Sequence, residues 1–589
     1  MTRYKDRIYD VVIVGGGPAG ATLGARLKRE TNLDVAIFEA EFFPRDHIGE
    51  TFVHTIVPSL MESGVLGKVL ASECWVKKYG GFYSWDPKRP WTTYFEHGLH
   101  EKDGYFRWAI HCNRPEFDQI LLEHAKSCGV DVFEGTPVMG VKREGDITRL
   151  DLGSNGEAKG RIFVNCSGRW SHTTITGDRA FLSEYKNVAV WNHVVDGKPA
   201  QTLDGDWNFF RDKNLSPVGS LAFEDGWFWY IPVPKMIQGK RVRTHSLGLV
   251  TDPSALDDPK KKFTDPKIFM ETAKKVPLLK ELIQDAQFIS DKFSTAPNYS
   301  RISGRMCDWD TREIRVGDAA YFVDPLFSSG VHFALQHAGM ALALIKAAFE
   351  PKLTDTMKRE LWQDYHQALV SVARGFALGI DQWYTEIARD NPNSVYWKHR
   401  GGKATFDTRA ETFQALVNGQ IHGDLIQVIT KGTNSINSLG KEGALRVTQE
   451  KLKEHEPPAD ARMKLRSDIA VKESLTLEPP MEGADGRKNV FMHGPYWDDP
   501  FRRSSEVLPL CGEPAPCHRL YFKNGKNGEA EQEVKFVEAQ HKGMELIETL
   551  KAGKETYGNL SQKLAPPQKH LLLHIALAGM LETPAGGTA

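Results

Sequence analysis

Residues 9–14, YDVVIV, followed at once by Gly15, Gly17 and Gly20, constrain this chain more than any other feature. An unbroken β-branched run is the pattern of a strand covered on both faces. Behind the glycines, ATLGARLKRE has helical spacing, and DVAIFEA then reads as a second buried strand ending at Glu39. The chain therefore opens with a βαβ unit. In that setting GxGxxG is a pyrophosphate cradle. Glycines let backbone approach the phosphates, the helix N-terminus offers unpaired N–H groups and a positive dipole end, and a carboxylate about 20 residues on accepts from ribose hydroxyls. Glu39 occupies that acidic place.

Farther along, aromatic and β-branched runs alternate with turn residues from Gly80 to Cys112 and from Val188 to Val250. These predict one antiparallel sheet interrupted by elements of the nucleotide-binding part. FDQILLEHAKSCGVDVF between them reads as a helix and a strand, REIRVGDAAYFVDP as a buried strand and loop, and SSGVHFALQHAGMALALIKAAFE as a long helix. The expected division is a 1–350 module, split into a Rossmann-like part (1–75, 113–185, 300–350) and a β-sheet part (76–112, 186–299). A helical region at 351–450, a charged connecting segment at 451–503 and a small winged-helix-like module at 504–589 follow. In the last, RLYFKNGKNGEAEQEVKFVEA predicts a hairpin and NLSQKLAPPQKHLLLHIALAGML a helix.

Length and charge narrow the classes. At 589 residues the chain exceeds one ordinary core. Its formal net charge of −1 supplies no electrostatic reason for a nucleic-acid or anionic-membrane partner. The first apolar run is a strand followed by glycines, unlike a signal peptide, and no stretch is long enough to span a bilayer. Seven cysteines, an odd number, fit reduced thiols and a cytoplasmic location. Cys511 and Cys517 lack metal-ligand neighbours, so no metal is expected.

RVGDAAYFVDPLFSSG resembles the GDA…DP segment of the para-hydroxybenzoate-hydroxylase class of FAD enzymes. Trp227-Phe228-Trp229-Tyr230-Ile231-Pro232 fits the WxWxIP pattern of the flavin-dependent halogenases, and Lys78, in WVKKYGGFYSW, sits where they carry an active-site lysine. An aromatic strand alone is ordinary sheet core; its coincidence with the lysine carries the resemblance. Together with FFPRDHIGE and DPLFSSGVH, these segments look most like the chloramphenicol-halogenase type. That resemblance implies an α/β fold with an inserted substrate-side antiparallel sheet and a mostly helical C-terminal region. It implies an oxidoreductase of specialised metabolism, such as antibiotic biosynthesis, in which reduced FAD, O2 and halide (chloride or bromide) give hypohalous acid. The oxidant would pass to Lys78 and halogenate an electron-rich phenolic, pyrrolic or enolisable acyl carbon, free or on a carrier protein. A separate NADH-dependent reductase would supply the reduced flavin, since no second nucleotide fingerprint is present.

The same resemblance assigns cofactor binding to Gly15, Gly17, Pro18, Ala19, Gly20, Glu39, Arg45, Arg114, Asp318, Pro325 and Gly330, and halide binding to Ser329 and Gly330. Trp227, Trp229, Ile231 and Pro232 would separate substrate from flavin. Glu50, in the GE of FPRDHIGE, would orient the lysine or accept the substrate proton. VNCSGRWS departs from the family's Asp-x-x-Gly-Arg by placing Asn165 near the acidic position. Alternatives are a flavin monooxygenase that hydroxylates directly, a geranylgeranyl-reductase-like enzyme, and a non-enzymatic flavin-binding regulator whose tail contacts DNA.

Overall fold

The opening βαβ unit forms as its pattern predicts, and a second sheet and a C-terminal module are built onto it. The computed structural model describes residues 4, 7–53, 56–86, 91–94, 108–170, 179–181, 186–203, 210–211, 215–297, 299–400, 456–477, 488–489, 507–508, 514–523, 534–536, 538 and 542–582. In the first sheet, β1 (Ile8–Val14) lies between β2 (Val35–Phe38) and β10 (Glu157–Asn165), with β7 (Asp131–Phe133) beyond β2 and β20 (Glu313–Arg315) beyond β10. All five pair in parallel. Because β1 connects to β2 on one side and neighbours β10 on the other, the glycine turn after Val14 opens at the switch point of the sheet, where α/β folds bind ligands. The helices Pro18–Glu30, Arg114–Ser127 and Gly330–Phe349 pack together over one face.

The second sheet runs β16 (Gln287–Phe288), β12 (Val188–Val195), β15 (Lys240–Thr251), β14 (Gly226–Ile237), β13 (Pro217–Phe223), β4 (Gly80–Ser84) and β5 (Trp91–Tyr94), with β17 (Ser294–Pro297) also on β12. Two details correct the expected antiparallel sheet. β13 and β4 pair in parallel. Residues 109–112 form β6 (Ala109–Cys112), which pairs with β3 (Trp75–Lys78) in a separate ribbon. The switch between ribbon and sheet takes only Tyr79, before Gly80 and Gly81.

The alternation of a strand divides the β14 motif between two cores. Trp227, Trp229, Ile231 and Val233 join the core continuous with the nucleotide-binding part. Phe228 and Tyr230 join the opposite core, against the helices Pro266–Ala273 and Pro277–Leu282. Opposite Trp229, the register sets Gly248, where an added Cβ would stand 2.1 Å from the indole Cζ2. Glycine is required there to make room for the ring.

The helix Asp355–Asp390 begins on Thr354, whose hydroxyl accepts from Met357 N at 3.3 Å. It buries Trp362, Tyr365, Leu369, Phe376, Ile380, Trp383, Tyr384 and Ile387, a stripe at helical spacing. After the short helix Val395–Arg400, residues 401–455 lie outside the described residues, as does most of the expected charged connection. Within that connection the structure differs from expectation at residues 456–477. There β22 (Ile469–Thr476) pairs with β25 (Ala515–Phe522), which pairs with β26 (Val534–Phe536). Met463, Leu465 and Ile469 are buried in the same core as Leu520 and Leu572, so apolar burial outweighs the segment's charge. The predicted tail helix is two, Tyr557–Lys563 and Pro566–Leu577, broken where Pro566 cannot continue the first. The hairpin's Asn-Gly turns and Cys511 lie outside the described residues.

The module docks on the long helix through charge. Arg519, 3% exposed, meets Asp364 at 2.8 Å, and Asp364 also pairs with Lys535 at 3.3 Å. Arg519 Nε donates to the Ser474 hydroxyl, which donates to Glu360. Among the described residues no helix is long and apolar enough to cross a membrane, and no cluster of metal-ligating side chains occurs.

Candidate active site

Each glycine of the nucleotide turn meets a different demand. Gly15 adopts φ +105, and an added Cβ would lie 2.3 Å from Cys166 O; at Gly20 it would lie 2.0 Å from Gly15 O. Gly17 faces the Arg45 guanidinium, with Nη2 3.4 Å from where a Cβ would be. Glu39 accepts from Gly16 N at 2.7 Å and Glu41 N at 2.9 Å, which fixes its carboxylate beside the turn. A backbone cradle without side chains, a cation and a ribose-type carboxylate fit a dinucleotide. Arg114 is buried and chelates Asp118 at 2.8 and 2.9 Å, while its Nη1 donates to the carbonyls of Ile48 and Gly49. It thus clamps the segment carrying Arg45 and Glu50 to the helix Arg114–Ser127.

Asp318 lies in a 3-10 turn, Gly317–Ala319, that packs beside the turn Gly168–Trp170. The departure at Asn165 is local, since its side-chain oxygen accepts from Ser167 N at 3.2 Å and Ser167 Oγ at 2.7 Å. His337 supports the Asp318 turn by accepting from Gly317 N at 3.2 Å; burial drops its pKa to about 3, so it is neutral. Between Pro325 and Gly330, Ser328 adopts φ +61, an uncommon conformation for a side chain. Ser329 then precedes the first turn of the helix Gly330–Phe349, so both halide candidates stand at the positive end of its dipole.

Lys78 ends β3, 3% exposed, and donates to Phe52 O at 2.8 Å. Burial lowers its pKa to about 7, so the neutral amine is accessible near neutrality. Its neighbour His111 is fully buried and held neutral, chiefly by burial and then by the charge of Lys78. β14 packs against both β3 and β6, which brings the tryptophan face toward the lysine's ribbon. Pro232 has the parity of Phe228 and Tyr230, on the other face. Trp229 donates to the Ser246 hydroxyl at 3.0 Å and Trp227 to the Tyr384 hydroxyl at 3.3 Å.

Glu50 is 2% exposed and its partner is His193, Oε1 to Nε2 at 2.6 Å. Burial pushes this carboxyl up, but the charges of His193 and Lys235 outweigh it and hold Glu50 below the ordinary range. Lys235 Nζ stands 3.4 Å from the same His193 nitrogen. Sequence reasoning missed His193, Lys235, Ser246, Asp324 and Tyr384. For Lys235 a signal existed in its shared parity with Ile231 along one strand, whereas His193 and Ser246 are brought beside that face only by the register of the sheet.

Comparison with known proteins points to one family. The tryptophan halogenase family model matches residues 96–422. Tryptophan 2-halogenase of Chondromyces crocatus is 28% identical over 366 residues, covering 61% of this chain and 65% of that protein. A pyrrole-2-carbonyl peptidyl-carrier-protein chlorinase of Pseudomonas fluorescens is 32% identical over 364 residues, covering 57% of this chain and 75% of its own. Of solved structures, the myxobacterial chondrochloren halogenase CndH, described as a variant of FAD-dependent halogenases, superposes with TM-score 0.56 at 25% identity, over 73% of this chain and 91% of its own. The flavin-dependent halogenase CmlS shares the fold with TM-score 0.65 at 22% identity, over 98% and 96%. With more than half of its residues matched by that family model, the chain belongs to the tryptophan halogenase family of flavin-dependent enzymes.

Proposed function

We propose that this chain halogenates an electron-rich carbon of a small molecule, and that Lys78 delivers the oxidant. The observation that supports this best is a buried lysine, titrating near 7, on a ribbon packed against the strand that presents Trp227 and Trp229. When bound, reduced FAD with O2, halide and a proton supplies hypohalous acid and water. Gly15, Gly17, Pro18, Ala19, Gly20, Glu39, Arg45 and Asp318 would hold the dinucleotide, with Arg114 fixing the segment beside it.

The remaining chemistry belongs to side chains. The first-turn amides at Ser329 and Gly330 suit a halide without any cationic side chain. In this reading Trp227 and Trp229 stand between the two regions, keeping an organic substrate back while admitting a small oxidant. At Lys78 the oxidant meets a group able to donate a hydrogen bond as ammonium or to form a haloamine as amine. Glu50, ionised and buried, is the base for the proton that the carbon loses.

Phenols and pyrroles are the substrate class, by the chemistry of an electrophilic halogen; the carrier-bound substrate of the Pseudomonas fluorescens relative makes a tethered acyl group a second candidate. Reduced flavin would come from a separate NADH-dependent reductase. The test is product mass from purified chain, FAD, reductase, NADH, O2 and a panel of phenols, pyrroles and carrier-bound acyl groups, with and without chloride or bromide. A halide-dependent gain with the matching isotope pattern supports the reading. A gain of oxygen alone, indifferent to halide, rejects it in favour of direct hydroxylation.

A further inference from the structure

Replacing C–H by carbon–halogen releases a proton inside a site lined by buried residues, and that proton needs a way out. Glu50 Oε2 is buried and makes no hydrogen bond to the described residues, while Oε1 is bound to His193 Nε2 at 2.6 Å. His193 lies in β12 opposite Ser246 of β15, which lies opposite Ile231 of β14. Two steps of the same parity beyond Ile231 comes Lys235, half-buried where β14 runs out to the exposed turn at Met236–Lys240, with Nζ 3.4 Å from His193 Nε2. The adjoining charges are the Arg241–Glu116 pair, joined at 2.7 and 2.8 Å. A carboxylate, an imidazole and an ammonium thus run in order from the buried interior to the edge of the sheet.

We propose that His193 and Lys235 form, behind Glu50, the path by which the substrate proton leaves the site. This rests on the halogenation reading above. The step balances as follows. The halogen takes the electron pair of the substrate carbon, and the bond from halogen to oxygen or nitrogen breaks toward that atom. The C–H pair then returns to the ring as the proton passes to Glu50 Oε2. The proton then moves along the row: Lys235, at the exposed edge, passes a proton to water and receives the His193 Nε2 proton across 3.4 Å. A half-turn of the carboxyl presents the captured proton to the freed Nε2. Glu50 is then a carboxylate again, with Nε2–H donating to it. His193 and Lys235 are positioning residues here, acting through Glu50.

The experiment uses full-length chain with FAD, reductase, halide and a substrate from the panel, protiated or deuterated at the halogenated carbon. Two rates are followed: oxidant formation, with a small diffusible scavenger, and substrate halogenation. His193→Ala is expected to leave oxidant formation within about twofold and to slow halogenation about 100-fold, in the range of general acid–base effects. It should also produce a primary deuterium isotope effect absent from wild type, and added imidazole should restore part of the rate. Lys235→Met, at the solvent edge, is the milder variant and should slow halogenation several-fold with the same isotope signature. Unchanged halogenation in both variants overturns the path, as does slowing of both rates together without an isotope effect, which marks a structural role. If wild type yields no halide-dependent product, the parent reading falls and the path with it; wild-type product with no effect of either variant removes the path alone.

Discussion

Trp227 donates its indole N–H to the hydroxyl of Tyr384 at 3.3 Å, and that hydroxyl donates in turn to Asp324 Oδ2 at 2.9 Å. One oxygen therefore ties the tryptophan strand, the helix Asp355–Asp390 and the residue just before Pro325. Tyr384→Phe removes both bonds and leaves a buried N–H and a buried carboxylate short of partners. The expected loss is about 1–3 kcal/mol, read from urea unfolding of the two proteins.

Asp324 supplies a pH test. Burial raises its carboxyl to about 6, against partial relief from Leu326 N and Tyr384. With a folded pKa above the unfolded one, the folded protein binds the proton more tightly; the stabilisation is complete below about pH 4 and is lost as pH rises to about 6. Asp324→Asn lacks this proton. Wild type should lose on the order of 3 kcal/mol relative to the variant across that window. Parallel stability curves from pH 4 to 7 would show that the carboxyl is not perturbed.

Gly248 and Trp229 are matched in register, and an added methyl would overlap the indole. Gly248→Ala should cost about 1–3 kcal/mol through overpacking. Trp229→Phe frees space at the same point, so the double variant should be less destabilised than the two single effects combined. Thermal unfolding of the four proteins measures the coupling.

The C-terminal module is held to the long helix by a buried ion pair, Arg519 to Asp364 at 2.8 Å. Arg519→Ala leaves Asp364 with Lys535 as its cation among the described residues, and about 3 kcal/mol of destabilisation is expected. Urea unfolding of the two proteins measures the difference. Unchanged stability would mean that the module contributes little to the fold through this contact.

What was legible in the sequence was local. The strand, glycine turn, helix and acidic end from residue 8 to Glu39 follow from neighbours, as does the helix after Ser329. The aromatic motif was legible as a strand, but its division between two cores required the sheet register. Long-range partners were not legible: His193 is 143 positions from Glu50, and Tyr384 is 157 from Trp227. The same holds for residues 456–477, whose charge masks an apolar alternation that gains meaning only when β25 pairs with it.

The central claim is that oxidant formation and carbon halogenation are separate events joined at Lys78. The direct measurement is Lys78→Ala, assayed for bound FAD, for oxidant reaching a diffusible scavenger, and for halogenated product. The account predicts FAD binding and scavenger oxidation near wild-type levels with product lost. Halogenated product formed at the wild-type rate by Lys78→Ala would contradict it.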